Sequence, residues 1–214
     1  TYNLRELAKD VVLRLAGKNE KAVRQLELTY GGGKTHTLIT LYHLANQPQA
    51  LRDASAFLSV SDWTGYLLTG KIAAEPSQAG ESGLFDIHAC EWAKDLIQAC
   101  GAPEGIFPPL LPAGMRLGEL SQAAAEHLGL AAGTPVAVGG GDTQSGLLGA
   151  GAVSPGQMAL IAGTTAPLQL VTEKPVIDPA MRTWSGLHLI PGLYVLESNA
   201  GPMGTTLRWI AGLM

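Results

Sequence analysis

Gly139-Gly140-Gly141-Asp142-Thr143-Gln144 is the stretch on which the reading of this chain turns. The apolar run before it, Pro135-Val-Ala-Val138, reads as a strand. The run after it, Gln144-Ser-Gly-Leu-Leu-Gly-Ala150, has a helical pattern. Three glycines let the backbone turn between the two without side-chain obstruction. The strand end thus carries one carboxylate, Asp142, to a glycine-lined opening, which is where ligands sit in α/β folds. An Asp just ahead of a helix is also a preferred N-cap, accepting the backbone N–H groups of the first turn. Cap and ligand-facing carboxylate are both open readings here, and the two roles are compatible.

With 214 residues the chain can bury a sizeable core, in one large domain or two small ones. Its 27 glycines, ordinary apolar content and low charge describe an α/β protein rather than a disordered one. No apolar run reaches the roughly 20 residues that a membrane helix needs. The start, Thr1-Tyr-Asn-Leu-Arg-Glu6, lacks the basic-then-apolar layout of a signal peptide. A cytoplasmic protein with no membrane or nucleic-acid partner is therefore expected. Cys90 and Cys100 are placed on one helix, facing apart and reduced. The five histidines show no metal-ligand spacing, so no structural metal site is expected.

The net charge of −4 hides an asymmetry. Residues 1–52 carry eight Lys and Arg against four Asp and Glu, a net +4, while residues 53–214 carry six against fourteen, a net −8. The pattern changes there too, which marks a seam. In the first segment Leu4, Leu7, Val11 and Leu15 recur at helical spacing up to Gly17, and Ala22 to Leu28 reads as a strand. Gly31-Gly32-Gly33-Lys34-Thr35 then leads into an apolar helix, Leu38 to Ala45. Strand, glycine loop, Lys-Thr and helix form the layout of a phosphate-binding P-loop, where backbone N–H groups cradle an anion. Lys34 would meet the outer phosphates of ATP and Thr35 would ligate Mg2+. The pattern calls for glycine five positions before Gly33, and this chain has Leu28. The segment resembles the opening of certain large P-loop ATPases.

From residue 53 the pattern differs. Phe57, Leu58, Val60, Trp63, Leu67 and Leu68 suggest a buried helix closed by Gly70. Ala74 to Asp86 reads as a polar loop ending in an apolar anchor, and Trp92, Leu96 and Ile97 as the inner face of a helix closed by Gly101. Pro103, Pro108, Pro109 and Pro112 mark a long surface connection, and Leu120 to Leu128 a further helix. Past Val153, Met158 to Ala162 and Pro167 to Val171 are short strands around Gly163-Thr164-Thr165. That is a hairpin whose turn is either plain or a holder of phosphate oxygens. A third strand, Leu193 to Glu197, precedes a helix reaching Trp209.

Ser61-Asp62-Trp63 with Leu68-Thr69-Gly70, Leu84-Phe85-Asp86, Leu110-Leu111-Pro112 and Gly140-Gly141-Asp142 follow one another in order. This succession resembles the FGGY carbohydrate kinases. The resemblance implies two actin-like, ribonuclease-H-like α/β domains closing over a sugar or polyol and ATP with Mg2+. It makes Asp142 the catalytic base and places Thr143 and Gln144 among the sugar contacts, with Thr143 standing where many members have Gln. It assigns Gly163, Thr164, Thr165 and Gly204 to the nucleotide, and Arg208 lies on the same helix as Gly204. The implied division is 1–52 as a P-loop-like segment of separate origin, 53–152 as the rest of the N-terminal domain and 153–214 as the start of the nucleotide-binding domain. A natural fusion, a rearranged gene or a joining error would each give such a seam. The Gly-Asp-Thr-Gln and Ala-Gly-Thr-Thr forms lean toward the autoinducer-2 kinase branch.

The chemistry suits the assignment, because phosphoryl transfer is mostly positioning and charge stabilisation, with a modest base within reach of the hydroxyl. The family's opening phosphate loop and later adenine loop have no counterpart here, so this polypeptide alone is expected to show little or no kinase activity. Unpaired strand edges favour association into a homo-oligomer. Two other readings are carried alongside: a P-loop ATP-binding protein with 53–214 as adapter, and a non-catalytic remnant that binds a partner or a sugar.

Overall fold

The computed structural model describes residues 53–163, 165–180, 182–199, 201 and 203–213. The helix, strand and P-loop expected before residue 53 lie outside the described residues, as does Thr164. Within them the chain is α/β, with three separate antiparallel sheets and short helices between.

Helix α1, Val60–Thr69, ends at Gly70 as expected but leaves out Phe57 and Leu58, which the apolar pattern includes. Ser59 is the N-cap, its hydroxyl accepting the Asp62 N–H while the Asp62 carboxylate reaches back to the Ser59 N–H, and Gly70 closes the helix at φ 69°. The expectation of a buried helix fails. Val60, Trp63 and Leu67 are each more than half exposed, and the buried residue of α1 is Asp62. Asp62 is inside because its carboxylate is fully used: Oδ2 takes the Ser59 N–H and hydroxyl, and Oδ1 takes the backbone N–H of Glu75 at 3.3 Å.

The segment expected as a polar loop is instead among the most buried. Ala73, Ala74, Glu75, Ser77 and Ala79 are all inside, and Pro76–Gly80 forms a one-turn helix, α2. Proline at its first position and the Glu75 side chain capping the Gln78 N–H explain the turn. Strands β1, Phe85–Asp86, and β2, Glu91–Trp92, pair as a short ribbon. Trp92 is therefore on a strand, and helix α3 covers only Lys94–Ala99. Cys90 lies in the intervening turn at φ 53°, so the two cysteines do not share a helix.

The proline-rich connection is packed rather than draped over the surface. It contains a 3-10 turn, Glu104–Ile106, with Ile106 buried. Phe107 stacks against Trp92 and Phe57, and Trp92 donates its indole N–H to Pro108 O at 2.8 Å. Strands β3, Arg116–Glu119, and β4, Pro135–Ala137, pair next, flanking helix α4, Gln122–Leu128, which Ser121 caps and Gly129 ends.

Helix α5, Asp142–Gly149, leads into the largest sheet, whose order is β5-β6-β8-β7. Its strands are β5, Met158–Leu160, β6, Pro167–Thr172, β7, Trp184–Leu187, and β8, Tyr194–Asn199, followed by helix α6, Met203–Ala211. The hairpin around Gly163 is present, with Ala159 opposite Gln169. Strand β7, for which no expectation was made, pairs with β8. Two small cores join the sheet to what precedes it. Leu147 and Ala152 pack with Val171 and Val195, and Ala79 and Phe85 pack with Leu187. Fully burying a leucine such as Leu147 contributes about 1.5–3 kcal/mol.

Candidate active site

Asp142 is the first residue of α5, one position too late to cap it; the N-cap is Gly141, which makes no side-chain cap bond. The carboxylate is instead held sideways. Its Oδ1 accepts the Thr143 N–H at 2.7 Å and the Thr143 hydroxyl at 3.2 Å. Asp142 is exposed and Thr143 half-buried. Among the described residues Oδ2 has no hydrogen-bond partner, so one oxygen is pinned and the other is open to accept a proton.

None of Gly139, Gly140 and Gly141 has a positive φ, and it is packing that asks for glycine at 140 and 141, whereas a side chain at 139 would meet open space. A Cβ on Gly140 would collide with Leu189, and one on Gly141 with the Gln144 amide. Further along α5, a Cβ on Gly146 would stand 2.9 Å from Ile161 Cδ1, which seats the helix against the β5 end of the sheet. Gln144 is buried, its amide lying over Gly141 with Nε2 close to Gly186. Its side chain thus supports the loop from within, while Asp142 and Thr143 face outward.

Beneath the loop runs a line of buried polar groups. Gly141 donates its N–H to Ser77 Oγ at 3.1 Å, and Ser77 donates its hydroxyl to the Glu75 carboxylate. Burial pushes the Glu75 carboxyl above its usual range, opposed by the hydrogen bonds from Ser77 and Gln78 and reinforced by the nearby Asp62 charge. Sequence reasoning missed Glu75 and Ser77. A proline followed by Ser-Gln and then Ala-Gly resembles a loop, and what buries it is tertiary. His188 was missed as well. It is buried, its Nε2 lies 3.1 Å from Ala152 O, and its Nδ1 accepts the Ile190 N–H at 2.9 Å. The neutral ring protonated at Nε2 satisfies both contacts, and burial lowers its pKa. A third buried polar pair, Gln169 and Glu197, crosses β6 and β8 at 2.8 Å.

The expected nucleotide residues lie on the hairpin and on α6. Gly163 is exposed, with its N–H donated to Thr165 O at 3.0 Å inside the turn. A Cβ at this position would stand 3.7 Å from that same carbonyl, an ordinary contact. Gly204 is half-buried in the first turn of α6, and Arg208 is exposed. Among the described residues no three His, Cys, Asp or Glu side chains gather as metal ligands, and no helix is long and apolar enough to cross a membrane.

Residues 12–149 match the model of the N-terminal domain of the FGGY family of carbohydrate kinases. The chain belongs to that family. The match crosses the seam placed at 52/53, and the likeness to P-loop ATPases around Gly31–Thr35 finds no support in these comparisons. An autoinducer-2 kinase of Yersinia enterocolitica is 37% identical over 189 residues, 86% of this chain and 36% of that protein. One of Salmonella paratyphi B is 41% identical over 172 residues, 80% of this chain and 32% of that protein. The chain therefore spans about a third of the length of the curated relatives it matches. A xylulose kinase of Rhodospirillum rubrum superposes with a TM-score of 0.73 at 28% identity, covering 83% of this chain and 36% of that one. The described α/β architecture is thus part of the actin-like sugar-kinase fold.

Proposed function

We propose that this chain serves ATP-dependent phosphoryl transfer to a hydroxyl of a sugar or polyol, with Asp142 as the general base. The observation that carries the reading is the state of the Asp142 carboxylate: exposed, one oxygen fixed by Thr143, the other without a hydrogen bond among the described residues. Such a group can take the proton of an attacking hydroxyl placed within hydrogen-bond reach. Little more is asked of a base where positioning and charge stabilisation do most of the work. Thr143 orients the carboxylate and lies beside the incoming sugar. Gln144 contributes through the loop it props.

Gly163, Thr164, Thr165 and Gly204 form the proposed phosphate-facing side. The Gly163 N–H is used within its own turn, so the Thr165 hydroxyl and the approach that a glycine leaves open are what the described part of this side offers. Mg2+ would arrive largely on phosphate oxygens and water and asks for one or two carboxylates at most. Residues 53–152 and 153–214 are assigned to the N-terminal domain and to the opening of the nucleotide-binding domain, in a protein that works in the cytoplasm. The similarity to autoinducer-2 kinases supports a small phosphorylatable polyhydroxy compound as the substrate class.

Calorimetric titration of a panel of ketoses, aldoses and polyols, with ATP titrated separately, tests this reading. At least one polyhydroxy ligand should bind the unaltered chain and lose at least tenfold in affinity with Asp142→Ala, while ATP affinity stays the same. Sugar binding indifferent to Asp142→Ala would sink it.

A further inference from the structure

Ser77 is buried and its hydroxyl is bonded to the residue immediately before Asp142. The Gly141 N–H meets Ser77 Oγ at 3.1 Å, in a place where both partners are buried. A serine hydroxyl has one hydrogen to give. Here the Glu75 carboxylate takes it, which turns an oxygen lone pair of Ser77 toward Gly141. Glu75 is itself fixed from two sides. Its carboxylate caps α2 through the Gln78 N–H at 3.0 Å, and its backbone N–H is held by Asp62 of the α1 capping box at 3.3 Å. The Gln144 amide closes over the other side of Gly141. The peptide that aims Asp142 is therefore clamped between one side chain from its own helix and a hydroxyl 64 residues earlier in the chain.

We propose that Ser77, oriented by Glu75, is a positioning residue for Asp142: it fixes the Gly140–Gly141 peptide and so the direction in which the carboxylate leaves α5. This rests on the kinase reading for its consequence but not for its geometry, and the two are tested by different signals. Amide hydrogen exchange on the full chain, resolved at Gly141, reads the clamp directly. In Ser77→Ala the Gly141 amide should exchange at least tenfold faster, with amides of β6 and β8 unchanged. Ser77→Thr, which keeps the hydroxyl, should restore protection. Should Ser77→Ala not fold, Ser77→Cys, whose sulfur is a weaker acceptor, takes its place, with a smaller but still local acceleration. Phosphotransfer provides the second signal: kcat should fall at least tenfold in Ser77→Ala with the KM for ATP unchanged, and recover in Ser77→Thr. Unchanged exchange at Gly141, or acceleration spread evenly over the sheet, overturns the proposal. An unaltered chain without phosphotransfer bears on the kinase reading, and the exchange result still decides this one.

Discussion

Asp142 reaches the surface because its neighbours cannot carry side chains. Gly140 faces Leu189 and Gly141 faces the Gln144 amide, so the loop runs flush against the molecule until the carboxylate projects from it. Gly140→Ala should therefore destabilise the fold by about 1–3 kcal/mol, the usual cost of forcing extra volume into packed surroundings. Urea unfolding would measure it, and a loss below about 0.5 kcal/mol would show that Leu189 moves aside freely. The importance of this stretch was legible in sequence, since three consecutive glycines before an Asp at a strand-to-helix junction are hard to read otherwise. The reason for each glycine was not legible. For Gly140 and Gly141 it lies in Leu189 and Gln144, nothing in the packing accounts for Gly139, and the positive-φ turn that a glycine run first suggests does not occur there.

At the scale of elements, local chemistry was readable and burial was not. Ser59, Asp62 and Gly70 delimit α1 as their types predict, and the Gly163 hairpin follows from alternating strands around turn residues. Strand β7, Trp184-Ser-Gly-Leu187, gives no such signal, because a four-residue strand with Ser and Gly at its centre is defined by its partner β8. Just beyond β7, His188 ties the end of the sheet to Ala152. Its folded-state pKa lies below the unfolded value of about 6.5. Its contribution is thus fully present above that pH and is lost as pH falls through the folded pKa. Unfolding free energies measured between pH 7.5 and pH 5 should decline toward acid, and His188→Gln should flatten that slope. Glu75, whose carboxyl is raised, acts in the opposite sense: its contribution is full below about 4.5 and fades as pH rises through its folded pKa. Equal slopes in the native and His188→Gln chains would remove His188 from this role.

Across the whole molecule, the division at 152/153 is not a gap in packing. Leu147 and Ala152 from one side share a core with Val171 and Val195 from the other, and Ala79 and Phe85 share one with Leu187. Leu147→Ala should cost about 2–5 kcal/mol, as deletion of a fully buried leucine does. Far-UV circular dichroism and tryptophan fluorescence should report one coincident transition in both chains. Two separated transitions would mean that the halves hold together independently of this contact. The family was legible because its short motifs recur in order. The buried line from Asp62 through Glu75 and Ser77 to Gly141 was not, since no local pattern announces which polar residues a fold will enclose.

Single-turnover transfer from γ-labelled ATP, with protein in excess over nucleotide, registers even slow chemistry and asks the question most directly. With a panel of sugars and polyols present, label should pass to at least one of them. Asp142→Asn should slow that transfer about a hundredfold or more, the scale of a general base. Transfer that survives Asp142→Asn undiminished would contradict the assignment of Asp142 as the base of a carbohydrate kinase.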